Sequence, residues 1–210
     1  MADRGTGDRR GAPGIMEMED IAGSAEEELP VAKPSLIVVA GAPGTGKTTL
    51  ARALAAAVRC PVIGRDEIKE GLLHTPSGRS AAPDEMTRRA TLIFFDAVTF
   101  FTERNVSIVA EAAFQHRVWA PKLEALQHRA EIKLVICHVD RAVARARIVE
   151  RGRKDPARAA YHDDAWALAQ PDYDPPRLPI PTLTVDTTNG YRPEFERIVA
   201  FAKERSSGRA

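Results

Sequence analysis

The sequence has little of what stabilises small secreted or metal-dependent folds. Its 210 residues include two cysteines, Cys60 and Cys137, which lie far apart in apolar stretches. Cysteines of this kind are more often free, buried thiols than the two halves of a disulfide. None of the five histidines has the Cys or His companions that a structural zinc site requires. The sequence therefore favours two free thiols and predicts no zinc site.

An excess of basic residues and long apolar runs are missing as well. The chain has 30 Lys and Arg residues against 29 Asp and Glu residues, a net charge of +1. Proteins that bind nucleic acid through its phosphates usually carry a basic excess or stripe, so the charge counts against such a partner. No segment approaches the roughly 18 apolar residues of a membrane helix, and the N-terminus has no apolar run of signal-peptide length. These absences predict a cytoplasmic protein without a membrane partner.

What the sequence does contain is an alternation of strand-like and helix-like segments. Residues 1–33 lack a sustained apolar period and predict a mostly disordered tail, so residues 34–210 are expected to form a single domain. Strands are predicted at 35–40, 61–64, 106–111, 131–138 and 181–186, and helices at 48–58, 66–73, 84–103, 121–129, 141–151 and 193–204. The alternation predicts an α/β fold with a parallel sheet that is covered on both faces.

A glycine-rich segment after the first predicted strand carries the strongest signal. Residues 41–48 match the pattern G-x-x-x-x-G-K-[ST], and a predicted helix follows directly. Glycines let the backbone turn its N–H groups toward a phosphate, and the helix N-terminus adds partial positive charge. Lys47, which we expect to be exposed, can reach the β- and γ-phosphates, and the Thr48 hydroxyl can bind Mg²⁺. The predicted nucleotide-binding residues are Gly41, Ala42, Pro43, Gly44, Thr45, Gly46, Lys47, Thr48 and Thr49.

Together with an acidic segment at Asp66 and an arginine-rich segment at 145–153, this loop resembles that of a known group of proteins. The chain is similar, over about residues 35–200, to the small P-loop kinases that include chloramphenicol phosphotransferase, the polynucleotide 5′-kinase domain and the zeta-toxin-like kinases. The resemblance implies a P-loop NTPase three-layer sandwich with a five-stranded parallel sheet in the order 2-3-1-4-5. It also implies ATP and Mg²⁺ as cofactors and a small helical lid at about residues 141–158.

Asp66 directly follows the second predicted strand, which places it at the carboxyl edge of the sheet beside the phosphate loop. A carboxylate at that edge can accept a proton from an attacking hydroxyl or orient it. The resemblance implies this catalytic role, in concert with Lys47. The alternative is a plain N-cap for the following helix, and the neighbouring Glu67 is a rival for the role of base.

Glu111 ends the third predicted strand, an arrangement in which a carboxylate holds Mg²⁺ or its waters. We therefore predict Glu111 and Thr48 as metal ligands. The related kinases more often carry Asp here, so the longer Glu111 side chain could instead bind the acceptor, hold Lys47 or be a solvated strand end. Downstream, His116 and Arg117 either face the acceptor or begin a surface helix.

Three arginines in the segment 145–153 fit a lid over ATP. Arg147 and Arg151 are four residues apart and share one helix face, and Arg153 follows Gly152. Guanidinium groups suit bidentate contact with phosphates. The resemblance implies that Arg147 and Arg151 act in catalysis and that Arg153 binds the nucleotide, whereas the alternative is a solvated basic face. It also places an adenine-binding loop at Thr187 and Thr188.

The residues together predict an ATP-dependent kinase that transfers the γ-phosphate to a hydroxyl group of a small molecule, such as an antibiotic, a sugar or a nucleoside-like metabolite. A polynucleotide 5′-hydroxyl is the second candidate acceptor. The alternative from another class is a switch ATPase that hydrolyses ATP and phosphorylates nothing. Such a switch usually needs a water-positioning residue and a partner surface, and the sequence identifies neither.

Overall fold

Five parallel strands form one sheet in the part of the chain that the computed structural model describes, residues 32–154 and 173–205. The strands are β1 (Ser35–Gly41), β2 (Val62–Gly64), β3 (Ile108–Ala112), β4 (Glu131–His138) and β5 (Thr182–Asp186). They lie in the order β2-β3-β1-β4-β5, and all four neighbouring pairs are parallel. This confirms the predicted sheet order and fold class. The predicted tail lies almost wholly outside the described residues and stays a prediction.

Seven helices occur in the described ranges. They are α1 (Lys47–Val58), α2 (Arg65–Leu73), α3 (Pro76–Arg79), α4 (Pro83–Glu103), α5 (His116–Leu126), α6 (Arg141–Lys154) and α7 (Phe195–Lys203). The predicted lid at residues 141–158 is therefore described only as far as Lys154. None of these helices combines the length and the hydropathy that a membrane crossing requires.

The central strand β1 divides the core into two layers. Successive side chains of a strand point to opposite faces, so alternate residues of β1 enter different clusters. Leu36 and Val38 pack with residues of α4 and α5 on one face. Ile37 and Val39 pack with residues of α1 and α7 on the other. The helices on both faces make the three-layer sandwich and leave the carboxyl ends of the strands at one edge.

The start of α2 corrects the interpretation of Asp66 as an N-cap. The N-cap is Gly64, which makes no side-chain bond, and Asp66 lies within the first turn of α2. Helix α2 begins at Arg65, one residue before the predicted start at Asp66. The residue before it, Gly64, is the last residue of β2 and pairs with Glu111 of β3. No loop residue is left between strand and helix to serve as a side-chain cap.

Strand β3 ends one residue later than predicted. Ala112 is its last residue, and Glu111 pairs with Val39 of β1 on one side and Gly64 of β2 on the other. Glu111 is consequently 2% exposed. The alternative interpretation of Glu111 as a solvated strand end is wrong.

Helix α5 begins at His116, five residues before the predicted start, and Pro121 lies inside it. Proline removes one helical N–H group but does not always end a helix. The buried residues Trp119, Leu123 and Leu126 recur at helical spacing and hold α5 against the sheet. The two cysteines are free, as predicted, and burial raises the pKa of Cys137 to about 12.

Candidate functional site

The phosphate loop joins β1 to α1 and depends on glycine at two positions. Gly46 is the N-cap of α1 with φ 77°, and Gly44 has φ 80°, a left-handed conformation that side chains disfavour. Gly44 also lies against α6, because a Cβ atom placed on it would be 2.5 Å from the carbonyl oxygen of Ala144. The loop therefore fits between the end of β1 and the first half of α6.

Thr45 supports this loop from within. Its side chain is buried, and its hydroxyl donates a hydrogen bond to the Ala42 carbonyl at 2.8 Å. Its own carbonyl oxygen accepts a hydrogen bond from the Thr187 hydroxyl at 2.6 Å. Thr45 thus closes the turn and faces the protein interior, whereas the residues after it face the cleft.

A cleft of about 450 Å³ opens above the loop. It brings together half of the predicted site residues with three others, and its lining consists of Gly44, Gly46, Lys47, Thr48, Thr49, Arg52, Arg147, Arg151, Thr187, Gly190 and Tyr191. The predicted residues that do not line it are Gly41, Ala42, Pro43, Thr45, Asp66, Glu111, Arg153 and Thr188. Arg153 is exposed and follows Arg151 by two residues, about 200° around an α-helix.

Lys47 and Thr48, which line the cleft, form a cluster with the buried residue Glu111. The Lys47 ammonium lies 3.6 Å from Glu111 Oε1, and the Thr48 hydroxyl donates to Glu111 Oε2 at 3.1 Å. Lys47 is 6% exposed, so the expectation of an exposed loop lysine is wrong. Its burial follows from the fold, because β3 lies directly beside β1 and brings Glu111 next to the first turn of α1.

The pKa of Glu111 reflects opposing influences from burial and from the charges around it. Burial raises the pKa of Glu111 above its ordinary value of 4.5, and the Lys47 ammonium opposes the rise. The carboxylates of Asp66 and Glu67 raise the pKa of Glu111 further, and the hydrogen bond from Thr48 lowers it. Three carboxylates therefore influence one another at the ends of β2 and β3.

These residues fit magnesium–ATP. Lys47, Arg52, Arg147 and Arg151 line the cleft and can offset the charge of phosphates. The described residues contain no group of three or more His, Cys, Asp or Glu side chains that could hold a metal ion. A cation at Thr48 and Glu111 would take its other ligands from phosphates and water, as Mg²⁺ commonly does.

The Asp66 carboxylate lies at the edge of this cluster. Arg65 donates a hydrogen bond to Asp66 Oδ1 at 2.7 Å, and its guanidinium lies 5.8 Å from the centre of the Phe114 ring. Glu67, the rival base, pairs instead with Arg52 of α1 at 2.7 Å. The Asp66 side chain remains 30% exposed, so a ligand can reach it.

Residues 173–177 pack against the start of α5. The His116 backbone N–H donates to the Asp174 carbonyl at 2.8 Å, and His116 Nδ1 accepts from the Arg177 N–H at 3.2 Å. The Tyr173 hydroxyl donates to the Phe114 carbonyl at 3.0 Å, and burial raises the pKa of Tyr173. Arg117 is exposed. Acceptor contacts from His116 and Arg117 stay predictions.

The sequence interpretation missed three residues that line the cleft. Arg52 follows Thr48 by four residues on α1 and so shares its helix face, a signal that could have identified it. Gly190 and Tyr191 lie in a turn that reciprocal backbone hydrogen bonds between Asp186 and Arg192 close, at 2.8 and 2.9 Å. No local pattern shows that this turn faces the phosphate loop.

Comparisons with known proteins agree with this geometry. A family model described as an AAA domain matches residues 36–176, which are 141 of the 210 residues. None of the curated proteins compared gives a significant match.

Similar solved structures show the same fold. A candidate kinase from Chloroflexus aurantiacus is 24% identical with a TM-score of 0.70, and the match covers 82% of this chain and 98% of that one. The protein APE1195 is 18% identical with a TM-score of 0.56, over 80% and 92% of the two chains. A chain of the Pnkp1/Rnl/Hen1 RNA repair complex is 18% identical with a TM-score of 0.51, over 74% and 51%.

Proposed function

The chain belongs to this AAA domain family of P-loop, kinase-like proteins, and from that premise we propose that it is an ATP-dependent phosphotransferase that phosphorylates a hydroxyl group of a small molecule. The observation that carries the proposal is the cluster of Lys47, Thr48 and Glu111 beside the phosphate loop, with Asp66 in the first turn of α2, directly after the neighbouring strand β2. A phosphate donor and an acceptor hydroxyl could meet between the cluster and Asp66.

Bound magnesium–ATP would supply a transferable γ-phosphoryl group. The protein would hold it mainly by position and charge, since phosphoryl transfer asks little covalent chemistry of the enzyme. Backbone N–H groups of the loop and the N-terminus of α1 would bind the phosphates. Lys47 and Arg151 line the same cleft and would neutralise their charge. Thr48 and Glu111 would hold the cation.

Asp66 would orient the acceptor hydroxyl and take its proton. The hydrogen bond from Arg65 to Asp66 Oδ1 fixes the direction of the carboxylate, and a fixed direction favours a productive approach of the hydroxyl. Gly64 rather than Asp66 is the N-cap of α2, and Asp66 lies in the first turn of the helix, where the helix dipole favours the negative charge of a carboxylate. The partly exposed position suits a group that must meet a diffusing acceptor.

The charges around Asp66 favour a small acceptor over a polynucleotide. Helix α2 contributes three carboxylates, on Asp66, Glu67 and Glu70, against two basic side chains, on Arg65 and Lys69. Arg65 pairs with Asp66, and Arg52 of α1 pairs with Glu67, so this surface has no excess of basic groups. A polynucleotide needs such an excess to bind its phosphates, whereas a neutral hydroxyl compound does not.

The test is transfer of label from γ-labelled ATP to a panel of sugars, antibiotics and nucleosides, and to 5′-hydroxyl oligonucleotides, with the Asp66→Asn variant as control. Label on a small molecule, lost in the variant, supports the proposal. Label on an oligonucleotide alone overturns the acceptor class. Release of phosphate without any labelled acceptor identifies a switch ATPase, and failure to bind ATP overturns the nucleotide site itself.

A further inference from the structure

Thr187, just after β5, connects three parts of the cleft. Its side chain is buried, and its hydroxyl donates a hydrogen bond of 2.6 Å to the carbonyl oxygen of Thr45 in the phosphate loop. Its backbone N–H donates to the His138 carbonyl at the end of β4, at 2.9 Å. The loop after β5 is thus hydrogen-bonded to the phosphate loop through the Thr187 side chain and to strand β4 through the Thr187 backbone.

Arg147 of α6 forms further hydrogen bonds with Thr187. Its Nη2 donates to the carbonyl oxygens of Thr187 and Thr188, at 2.7 and 3.0 Å, and its Nη1 donates to the Thr187 hydroxyl at 3.3 Å. A hydroxyl has one hydrogen and two lone pairs, so Thr187 can donate to Thr45 while it accepts from Arg147. A guanidinium has five N–H donors in a rigid fork, and three of them are engaged here.

Helix α6 touches the phosphate loop at a second point. Gly44 leaves no room for a Cβ atom, because the Ala144 backbone lies where that atom would be. Ala144 and Arg147 are three residues apart and lie on the same side of the helix. The first two turns of α6 are therefore held against the loop by direct backbone contact and by the bonds of Arg147.

We propose that Arg147, Thr187, Thr188 and Thr45 form a latch that fixes the first two turns of α6 as a rigid wall of the nucleotide site. Arg147 is then a positioning residue for nucleotide binding, and it does not act on the transferred phosphate. Its effect reaches the nucleotide through the Thr45 carbonyl and the loop after β5. The inference rests on the proposed function only in taking the ligand to be a nucleotide.

The latch is tested with Arg147→Met, Thr187→Val and the double variant, and calorimetry measures the affinities for Mg·ADP and Mg·ATP. Each single change should weaken both affinities by the same factor, roughly tenfold, because each breaks a buried hydrogen-bonded connection. The double variant should lose no more affinity than either single variant. The bonds from Arg147 to Thr187 and from Thr187 to Thr45 are successive links between α6 and the phosphate loop, so breaking either link already separates the two. The KM for ATP should rise while kcat at saturating ATP is retained.

Matched controls separate the latch from general damage. Arg145→Met on an exposed position of α6 and Thr184→Val on an exposed position of β5 should leave both affinities unchanged. Thr187→Ser keeps the hydroxyl and should restore binding. Arg147→Lys keeps the charge but lacks the fork and should not. These conservative variants keep the test decisive even where Thr187→Val folds poorly.

A second readout needs no nucleotide. Backbone amides of residues 187–191 should exchange hydrogen faster in unliganded Arg147→Met and Thr187→Val proteins than in the parent. Unchanged exchange, additive losses of affinity, or a loss for ATP without one for ADP would each overturn the latch. The last result would place Arg147 on the γ-phosphate. If the parent protein binds no nucleotide, the proposed function fails, while the exchange measurement still decides whether the latch exists.

Discussion

Replacing Lys47 with Met isolates the charge that balances buried Glu111. Methionine keeps most of the aliphatic side chain but removes the ammonium group, which lies 3.6 Å from Glu111 Oε1. At an effective dielectric constant of about 20, that distance corresponds to an attraction of about 4–5 kcal/mol. Glu111 is 2% exposed, so solvent compensates little for its loss.

Protonation of Glu111 limits the cost. From an ordinary pKa of 4.5, neutralising this carboxyl at pH 7 costs about 3.4 kcal/mol, and at pH 5 under about 1 kcal/mol. Because the folded-state pKa of Glu111 lies above 4.5, these costs are upper limits, and the charge contribution to the Lys47→Met destabilisation should be at most about 3 kcal/mol at pH 7 and less than about 1 kcal/mol at pH 5.

The direction of the pH effect follows from the raised pKa of Glu111. The folded state binds the proton more tightly than the unfolded state, so the free energy of unfolding falls as the pH rises from 4.5 through the folded pKa. Lys47 lowers the pKa of Glu111 in the parent, so its removal raises that pKa again and makes the fall larger. The variant should thus lose more stability at pH 8 than at pH 5.

Urea unfolding at both pH values, in EDTA to exclude metal ions, measures this difference. The double variant Lys47→Met/Glu111→Gln lacks the carboxylate that faces Lys47, so its stability relative to Glu111→Gln should depend on pH much less than that of Lys47→Met relative to the parent. A Lys47→Met protein that loses the same stability at pH 5 and pH 8 would refute the argument that an uncompensated Glu111 causes the loss.

Three further predictions concern other parts of the site. Asp66→Asn should lower phosphoryl transfer by about a hundredfold or more, the scale of general base catalysis, and leave the melting temperature and ATP affinity near normal because Gly64 is the cap of α2; wild-type transfer would contradict it. Arg151→Ala should lower kcat by roughly tenfold to a thousandfold, more than it weakens ATP binding. An unchanged kcat would mean that this face of α6 is a solvated basic face without a part in catalysis. Gly44→Ala should destabilise the protein more than Gly190→Ala in thermal melts, because both have a left-handed φ but only Gly44 lacks space for a Cβ atom. Equal losses of stability would show that α6 moves away from the loop and makes room for the added atom.

Local pattern was enough to predict the phosphate loop and the α/β class. The loop is contiguous, and its function depends on backbone conformations that glycine permits, so the pattern at residues 41–48 carries its own structural meaning. The sheet order came from the resemblance, because short strand patterns contain no information about which strands are neighbours. The role of Asp66 as a site residue was predicted from its position after a strand and stays a prediction, whereas the alternative of an N-cap was wrong because Asp66 lies in the first turn of α2.

Contacts between distant segments were decided by the tertiary structure alone. Lys47 is buried because β3 brings Glu111, 64 residues further along the chain, beside the loop. Thr187 bonds to Thr45 across 142 positions, and Ala144 presses on Gly44. A lysine, a threonine or an arginine has the same local pattern whether it faces solvent, phosphate or a buried carbonyl. Which of these partners the side chain contacts depends on how β3, β5 and α6 pack around β1. That packing cannot be predicted from the spacing or the composition of residues along the chain.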